Sequence, residues 1–138
     1  MLRKDAKIEL LRTVPLFAGC TKKELREIAS VADEIDFPEG KTLAREGAAG
    51  RELFVLVDGR ARVTSNGRTL AELASGDWFG EMALLTNEPR TATVVTTSSV
   101  RTLVIADREF RAVMERYPQI AGKILASVAQ RLTRNAQS

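Results

Sequence analysis

Apolar residues at helical spacing mark the first part of the chain. Thr21 and Glu24 stand three positions apart in a capping-box pattern, in which each side chain satisfies a backbone N–H group of the other residue. Leu25 and Ile28 follow at i, i+3 spacing, which is typical of the buried side of a helix. The pattern predicts a helical N-terminal part over about residues 4–32.

A different pattern holds between about residues 34 and 105. Short apolar or β-branched segments, such as Thr91–Thr96 and Val100–Ile105, are separated by turns that contain glycine. Asp58-Gly59 and Asn66-Gly67 are both two-residue hairpin signals. Strands and helices do not alternate here, so the pattern predicts an antiparallel, jelly-roll-like β-roll rather than a parallel sheet.

The last third of the chain returns to helical spacing. Asp107 is placed to cap one helix, and an apolar stripe from Ile120 to Leu132, which includes Leu125, indicates a second helix with one apolar face. We therefore predict a mainly β fold with flanking α elements, in which two C-terminal helices over about residues 107–135 form a lid. Residues 1–138 are interpreted as a single domain of ordinary size.

The composition narrows the classes of function. The chain has no histidine, which excludes Ser-His-Asp and Cys-His catalysis and the usual imidazole metal sites. The net charge of +3, from 21 basic and 18 acidic residues, is too small and too scattered to demand nucleic acid as a partner. The sequence also lacks an apolar run of about 18 residues and a signal-peptide pattern. We expect a cytoplasmic protein that is not an enzyme, binds no metal, and contacts neither membranes nor nucleic acid directly.

One segment carries a chemical signal. Gly80 interrupts the β pattern and good helix formers follow from Glu81 to Leu85, so a helix of one or two turns is predicted to begin there. The amides and the dipole at a helix N-terminus suit an anion, and Arg90 can add a charge-assisted contact to it. Glu81 can only accept hydrogen bonds, which suits a sugar hydroxyl. Together these residues predict a site for a phosphate joined to a ribose.

Each of these residues also has an ordinary interpretation. Taken alone, Glu81 can serve the helix dipole and Arg90 can be a solvated surface charge. Trp78 and Phe79 fit a packed core better than they fit stacking on a ligand. The joint occurrence of Glu81 and Arg90 in one segment favours the binding site.

Two segments carry a family resemblance. Gly80–Leu85 and Pro89–Val94 resemble the phosphate-binding cassette of the cyclic-nucleotide-binding domain family, which includes the catabolite activator protein, kinase regulatory subunits and nucleotide-gated channels. Other motifs stand in the family's order: Glu39-Gly40, Arg45-Glu46-Gly47, Leu53–Gly59 and Gly76–Phe79. The resemblance runs from about Val14 to Arg134, nearly the whole chain.

The resemblance implies a role for the residues of the cassette. Glu81 would accept the ribose 2′-hydroxyl, Arg90 would bind the exocyclic phosphate oxygens, and Thr91 would lie beside the phosphate and the base edge. The further ligand-contacting positions that it implies are Phe79, Gly80 and the backbone amides of Met82, Ala83 and Ala92 in the cassette, Val63, Leu70 and Ala71 on the apolar side of the base, and Arg131 and Asn135 on the last helix.

The function implied by the resemblance is that of a cyclic-nucleotide sensor. Its ligand would be cAMP in preference to cGMP, with no other cofactor, and movement of the last helix over the pocket would carry the signal. One alternative is the N-terminal sensor portion of a longer DNA-binding transcription regulator, which requires a helix-turn-helix after Ser138. Another is an oxygenase or isomerase on a β-roll, for which the histidine ligands are missing. The apolar face of the last helix also allows a homodimer.

Overall fold

The computed structural model describes residues 3–84, 86 and 88–137, with the side chains of residues 3–82, 86 and 88–130. The chain packs as two compact units, one of Met1–Val31 with Glu109–Ser138 and one of Ala32–Arg108. The interpretation of residues 1–138 as a single domain stays a prediction.

The N-terminal segment of the first unit is helical, as predicted. It contains α1 (Lys4–Thr13), a single 3₁₀ turn (Pro15–Phe17) and α2 (Lys22–Ser30). The predicted capping box is confirmed, because the Glu24 N–H donates to the Thr21 hydroxyl at 3.2 Å and the Thr21 N–H donates to the Glu24 carboxylate at 2.8 Å.

The C-terminal segment forms α3 (Asp107–Arg116) and α4 (Pro118–Gln137). Ile120, Ile124 and Val128, which recur every four residues, are the buried face of α4. Leu125 does not share that face, because its side chain is 54% exposed. The single apolar stripe predicted for this helix was therefore wrong at Leu125, which lies about 100° around the helix from Ile124.

The second unit consists of two four-stranded antiparallel sheets in its described residues. Their order is β1-β8-β3-β6 in the first sheet and β2-β7-β4-β5 in the second sheet. The strands are β1 Ala32–Phe37, β2 Thr42–Ala44, β3 Glu52–Asp58, β4 Ala61–Ser65, β5 Arg68–Leu73, β6 Trp78–Phe79, β7 Thr93–Thr96 and β8 Val100–Ala106. The predicted antiparallel β-roll with flanking helices is confirmed; the role of the last helices as a lid stays a prediction.

The core of this unit lies between the two sheets. Ala44, Ala61 and Val94 come from the second sheet and pack with Leu56 of the first sheet. Removing this apolar surface from water holds the sheets together at about 25 cal/mol per Å² buried.

The two turn signals have different outcomes. Asn66 and Gly67 have φ angles of 52° and 77° and join β4 to β5 as a hairpin, as predicted. Asp58-Gly59 joins β3 to β4, which pair with different strands in different sheets, so the predicted hairpin is wrong. Gly59, with a φ of 98°, instead turns the chain from one sheet to the other.

No helix in the described part of the chain is long and apolar enough to cross a membrane.

Candidate functional site

The predicted anion-binding segment begins where β6 ends. Gly80 has a φ of 88°, a conformation that glycine adopts without strain, and a 3₁₀ helix of Glu81–Leu84 follows it. The prediction of a one- or two-turn helix at this point is confirmed as a single 3₁₀ turn. The segment then bends back, with the Thr86 N–H donating to the Met82 carbonyl at 2.8 Å.

The side chain of Arg90 lies in a slot between two glycines. A Cβ added at Gly80 would stand 2.5 Å from Nη1 of Arg90, and a Cβ added at Gly50 would stand 2.5 Å from its Nε. From this slot Nη2 of Arg90 donates to the carbonyl of Glu52 at 2.7 Å. The guanidinium is thus held in position by packing and by this hydrogen bond, which uses only one of the donors in its planar fork.

The main chain around Arg90 is held as firmly as its side chain. The Gly47 N–H donates to the Arg90 carbonyl and the Arg90 N–H donates to the Ala48 carbonyl, both at 2.8 Å. Ala49 and Pro89 form an antiparallel bridge beside these bonds. The loop between β2 and β3 therefore supports the residue that the sequence singled out for the phosphate.

The Arg90 guanidinium is partly removed from water and has two carboxylates in its neighbourhood. Burial lowers the pKa of Arg90, and the nearby carboxylates of Glu52 and Glu81 oppose that effect. A half-buried guanidinium has lost part of its hydration, so an anion that reaches it replaces water that is already partly excluded. The electrostatic influence of Glu81 on Arg90 also means that the structure brings these two predicted residues together.

Other predicted cassette residues occupy several environments. Phe79 stacks on Phe54 with ring centroids 4.8 Å apart and packs against the core, which is its ordinary interpretation. Met82 is 44% exposed, Thr91 is exposed and Ala92 is half-buried. The side chain of Ala83 lies outside the described residues.

The residues predicted for the apolar side of the base lie on the β4–β5 hairpin. Val63 pairs with Ala71 in register and also with Val94 of β7. The register slips after Val63, since Thr64 pairs with Thr69, and Leu70 is the extra residue of the resulting bulge. Leu70 is 62% exposed, so its side chain offers apolar surface at this bulge.

The two residues predicted to reach the base from the last helix have no described side chains. Arg131 and Asn135 fall within α4, but their side chains lie outside the described residues. Their predicted contact with the base stays a prediction.

Sequence reasoning missed Gly50 and Glu52. The loop containing Gly47 and Gly50 had a visible signal, its glycine content, but nothing in the sequence pairs Gly50 with Arg90. Among the residues that the structure describes, no cluster of His, Cys, Asp or Glu could hold a metal ion.

Comparisons with known proteins place the chain in a family. The sequence profile described as "Cyclic nucleotide-binding domain" matches residues 34–117. The chain is 32% identical over 123 residues to a cyclic nucleotide-gated potassium channel of Rhizobium etli, covering 89% of this chain and 34% of the channel. It is also 32% identical over 123 residues to the cyclic AMP receptor protein of Thermus thermophilus, covering 86% of this chain and 57% of that protein. The chain thus spans only part of these relatives.

Solved structures agree in fold. The N-terminal domain of a transcriptional regulator from Streptomyces coelicolor A3(2) superposes with a TM-score of 0.82 at 27% identity, covering 94% of this chain and 96% of that one. The Thermus thermophilus catabolite activator protein gives a TM-score of 0.76 at 31% identity, covering 89% of this chain and 60% of that one. The profile match covers more than half of the sequence and includes both Glu81 and Arg90. The chain belongs to the cyclic nucleotide-binding domain family.

Proposed function

We propose that this chain is a ligand-sensing module for cAMP, bound in preference to cGMP, rather than an enzyme. The observation that carries the proposal is the half-buried guanidinium of Arg90, held between Gly50 and Gly80 beside the 3₁₀ turn that begins at Glu81. A fixed cation next to the amides of a tight turn suits a phosphate diester.

The proposed ligand contacts follow the chemistry of each group. Arg90 donates to the exocyclic phosphate oxygens, together with the backbone amides of Met82, Ala83 and Ala92. Glu81 accepts from the ribose 2′-hydroxyl, and its charge also acts on the Arg90 guanidinium, partly opposing the lowering of the Arg90 pKa by burial.

The base would lie against the β4–β5 hairpin, where Leu70 offers exposed apolar surface near Val63 and Ala71. A hydroxyl at Thr91 accommodates either purine. The preference for cAMP is supported by the Thermus thermophilus relative, a cyclic AMP receptor protein.

We propose that ligand binding is signalled by a shift in the population of two positions of α4. The ligand can bias the position of this helix only by contacts that it makes better in one arrangement than in the other, and Arg131 and Asn135 would supply them. Spin labels on α4 and on β4 would report the change as a shift in their distance distribution on adding cAMP. Identical distributions with and without bound nucleotide would contradict it.

Titration calorimetry tests the binding site directly. Truncating a phosphate-bound arginine costs about 2–5 kcal/mol, or roughly thirtyfold to several thousandfold in affinity. Arg90→Ala should therefore nearly abolish cAMP binding. Arg60→Ala, which removes the same charge from an exposed position, should not. Binding of neither cAMP nor cGMP by the wild type at high micromolar concentration would overturn the proposal.

A second candidate is favoured by one comparison. The solved domain from Streptomyces coelicolor is the N-terminal part of a transcriptional regulator and matches this chain almost end to end. On this proposal the chain is the sensor portion of a longer DNA-binding protein. The open reading frame around the gene would test it, by the presence or absence of a helix-turn-helix after residue 138.

Self-association through α4 is a further part of the proposal. Leu125 is a large apolar side chain on the outer side of this helix. Sedimentation equilibrium should detect a dimer that Leu125→Glu weakens, and a wild type that stays monomeric at all concentrations would contradict it.

A further inference from the structure

The exposed carboxylate of Glu46 bonds to the tip of the β4–β5 hairpin. Its Oε1 accepts from the Asn66 N–H at 3.2 Å and its Oε2 lies 3.3 Å from the Ser65 hydroxyl. Asn66 is the one non-glycine residue with a positive φ among those described, so the carboxylate satisfies an amide at the most constrained point of the turn.

Ser65 also reaches the segment that follows Arg90. Its hydroxyl lies 3.2 Å from the carbonyl of Thr91, so one serine side chain touches both Glu46 and the cassette. A hydroxyl has a single proton, which the two acceptors share or exchange. Glu46 makes a second link through its main chain, because its N–H donates to the hydroxyl oxygen of Thr93 at 3.0 Å.

These contacts join three separate parts of the chain, which contain Glu46, Ser65 and Thr91, next to the peptide group between Thr91 and Ala92. We call Glu46, Ser65 and the Thr91 carbonyl the Glu46 bracket. The main-chain bonds between Arg90 and the 47–48 segment hold the preceding residue, and the bracket holds the Thr91 carbonyl itself.

We infer that Glu46 and Ser65 are positioning residues for the nucleotide, an inference that rests on the proposed function. Neither would touch the ligand. They fix the Thr91 carbonyl, and with it the peptide plane whose other end is the Ala92 N–H, one of the donors proposed for the phosphate. A donor that is held in place before binding costs less ordering when the ligand arrives.

The test compares three variants of the Glu46 bracket with one control that matches Glu46→Ala in size and charge. Ser65→Ala removes only the linking hydroxyl, Glu46→Ala removes the carboxylate, and Glu46→Gln keeps one acceptor oxygen. Glu72→Ala is the control, because it removes the same charge from an exposed residue of the same hairpin whose partner is Arg62. Affinity for cAMP, the free energy of unfolding and the amide shifts of Thr91 and Ala92 are measured for each.

Ser65→Ala and Glu46→Ala should each weaken cAMP binding about threefold to tenfold, the loss expected from one or two hydrogen bonds. The double variant should lose no more than about tenfold, because both residues act through one bracket. Glu46→Gln should recover part of the loss, the Thr91 and Ala92 amides should shift in the ligand-free variants, and Glu72→Ala should stay within about twofold of wild type.

The outcomes separate this inference from the proposed function. If the wild type binds cAMP and both single variants bind it with the same affinity as the wild type, the inference is overturned and the proposed function is not. Losses that multiply in the double variant and follow the loss of unfolding free energy also overturn it, because they indicate general destabilisation. A wild type that binds no cyclic nucleotide overturns the proposed function and the inference with it.

Discussion

The guanidinium of Arg90 lies directly on the backbone of Gly80. A Cβ at position 80 would stand 2.5 Å from Nη1 of Arg90 and also 2.5 Å from the carbonyl of Glu52, which receives the hydrogen bond from Nη2 of Arg90. Glycine is therefore required at position 80 for two reasons, its φ of 88° and the absence of space. The second reason links the shape of the turn to the position of Arg90, the arginine proposed to bind the phosphate.

A comparison of Gly80→Ala with Gly76→Ala should distinguish a loss of cAMP affinity from a loss of unfolding free energy. Both glycines have a positive φ, 88° and 91°, but a Cβ at Gly76 would meet nothing within 4 Å. Each substitution should cost about 1–2 kcal/mol of unfolding free energy through backbone strain, and Gly80→Ala should cost more because its Cβ would also meet the Glu52 carbonyl. Only Gly80→Ala should also displace Arg90, and we expect it to lower cAMP affinity at least tenfold, measured by calorimetry.

One result of comparing Gly80→Ala with Gly76→Ala would contradict this prediction. If Gly76→Ala weakens binding as much as Gly80→Ala does, backbone strain alone explains the loss, and the contact between Gly80 and Arg90 is not needed for binding.

Gly50→Ala tests the other wall of the slot without the complication of strain. No positive φ is recorded at Gly50, so alanine is compatible with its backbone, but the new Cβ would lie 2.5–2.8 Å from Nε, Cδ and Cζ of Arg90. The arginine must move, and we expect cAMP affinity to fall about tenfold or more while the change in unfolding free energy stays near 1–3 kcal/mol. Unchanged affinity would mean that the guanidinium finds an equivalent position outside the slot.

The features that sequence reasoning predicted depend on neighbours in the chain. The capping box of Thr21 and Glu24 and the hairpin at Asn66-Gly67 are decided by residues a few positions apart, so the pattern contains all the information needed. The phosphate-binding role of Arg90 was predicted from its place in a recognisable segment, and that role stays a prediction.

The features that were missed or wrong depend on distant contacts. Gly50 forms a wall for Arg90 only because the loop after β2 folds onto the segment that precedes β7, a pairing that no local pattern encodes. Asp58-Gly59 does form a turn, but which sheet the next strand joins is decided by pairing with β5 and β7. Tertiary contacts of this kind override local turn chemistry.

Cys20 should react slowly with alkylating agents. Burial, assisted by the charge of Glu24, raises the pKa of its thiol from 9.0 to about 11, while Lys123 acts in the opposite direction. At neutral pH little thiolate is present, so iodoacetamide should modify the native chain about tenfold or more slowly than the urea-unfolded chain. The rate should still be rising with pH at pH 10. Equal rates in the native and unfolded chains would contradict the raised pKa.

The ammonium of Lys123 in α4 donates to the buried carboxylate of Glu24 at the start of α2, with Nζ 2.5 Å from Oε1. Burial alone would raise the pKa of Glu24, but the hydrogen bond from Lys123, with a further one from the Thr21 N–H, outweighs it and the pKa lies below 4.5. A carboxyl with a lowered native pKa stabilises the fold above its unfolded pKa, and this contribution is lost as the pH falls through the native value.

Lys123→Met should therefore destabilise the chain in a pH-dependent way. Without the ammonium, the effect of burial on the Glu24 carboxylate is no longer offset by Lys123, and the native pKa of Glu24 rises. Protonation of Glu24 at low pH therefore removes the destabilisation of the variant, whereas it removes a stabilising ion pair from the wild type. The difference in unfolding free energy should be small near pH 3, grow through pH 4–5 and level off above pH 6 at about 1–3 kcal/mol, the cost of removing the cationic partner of a buried carboxylate that keeps its bond from the Thr21 N–H. Urea unfolding at a series of pH values measures it, with Lys41→Met as the control because Lys41 is exposed. A difference that is the same at pH 3 and pH 7 would mean that Lys123 contributes by packing over Gly19 rather than by its charge.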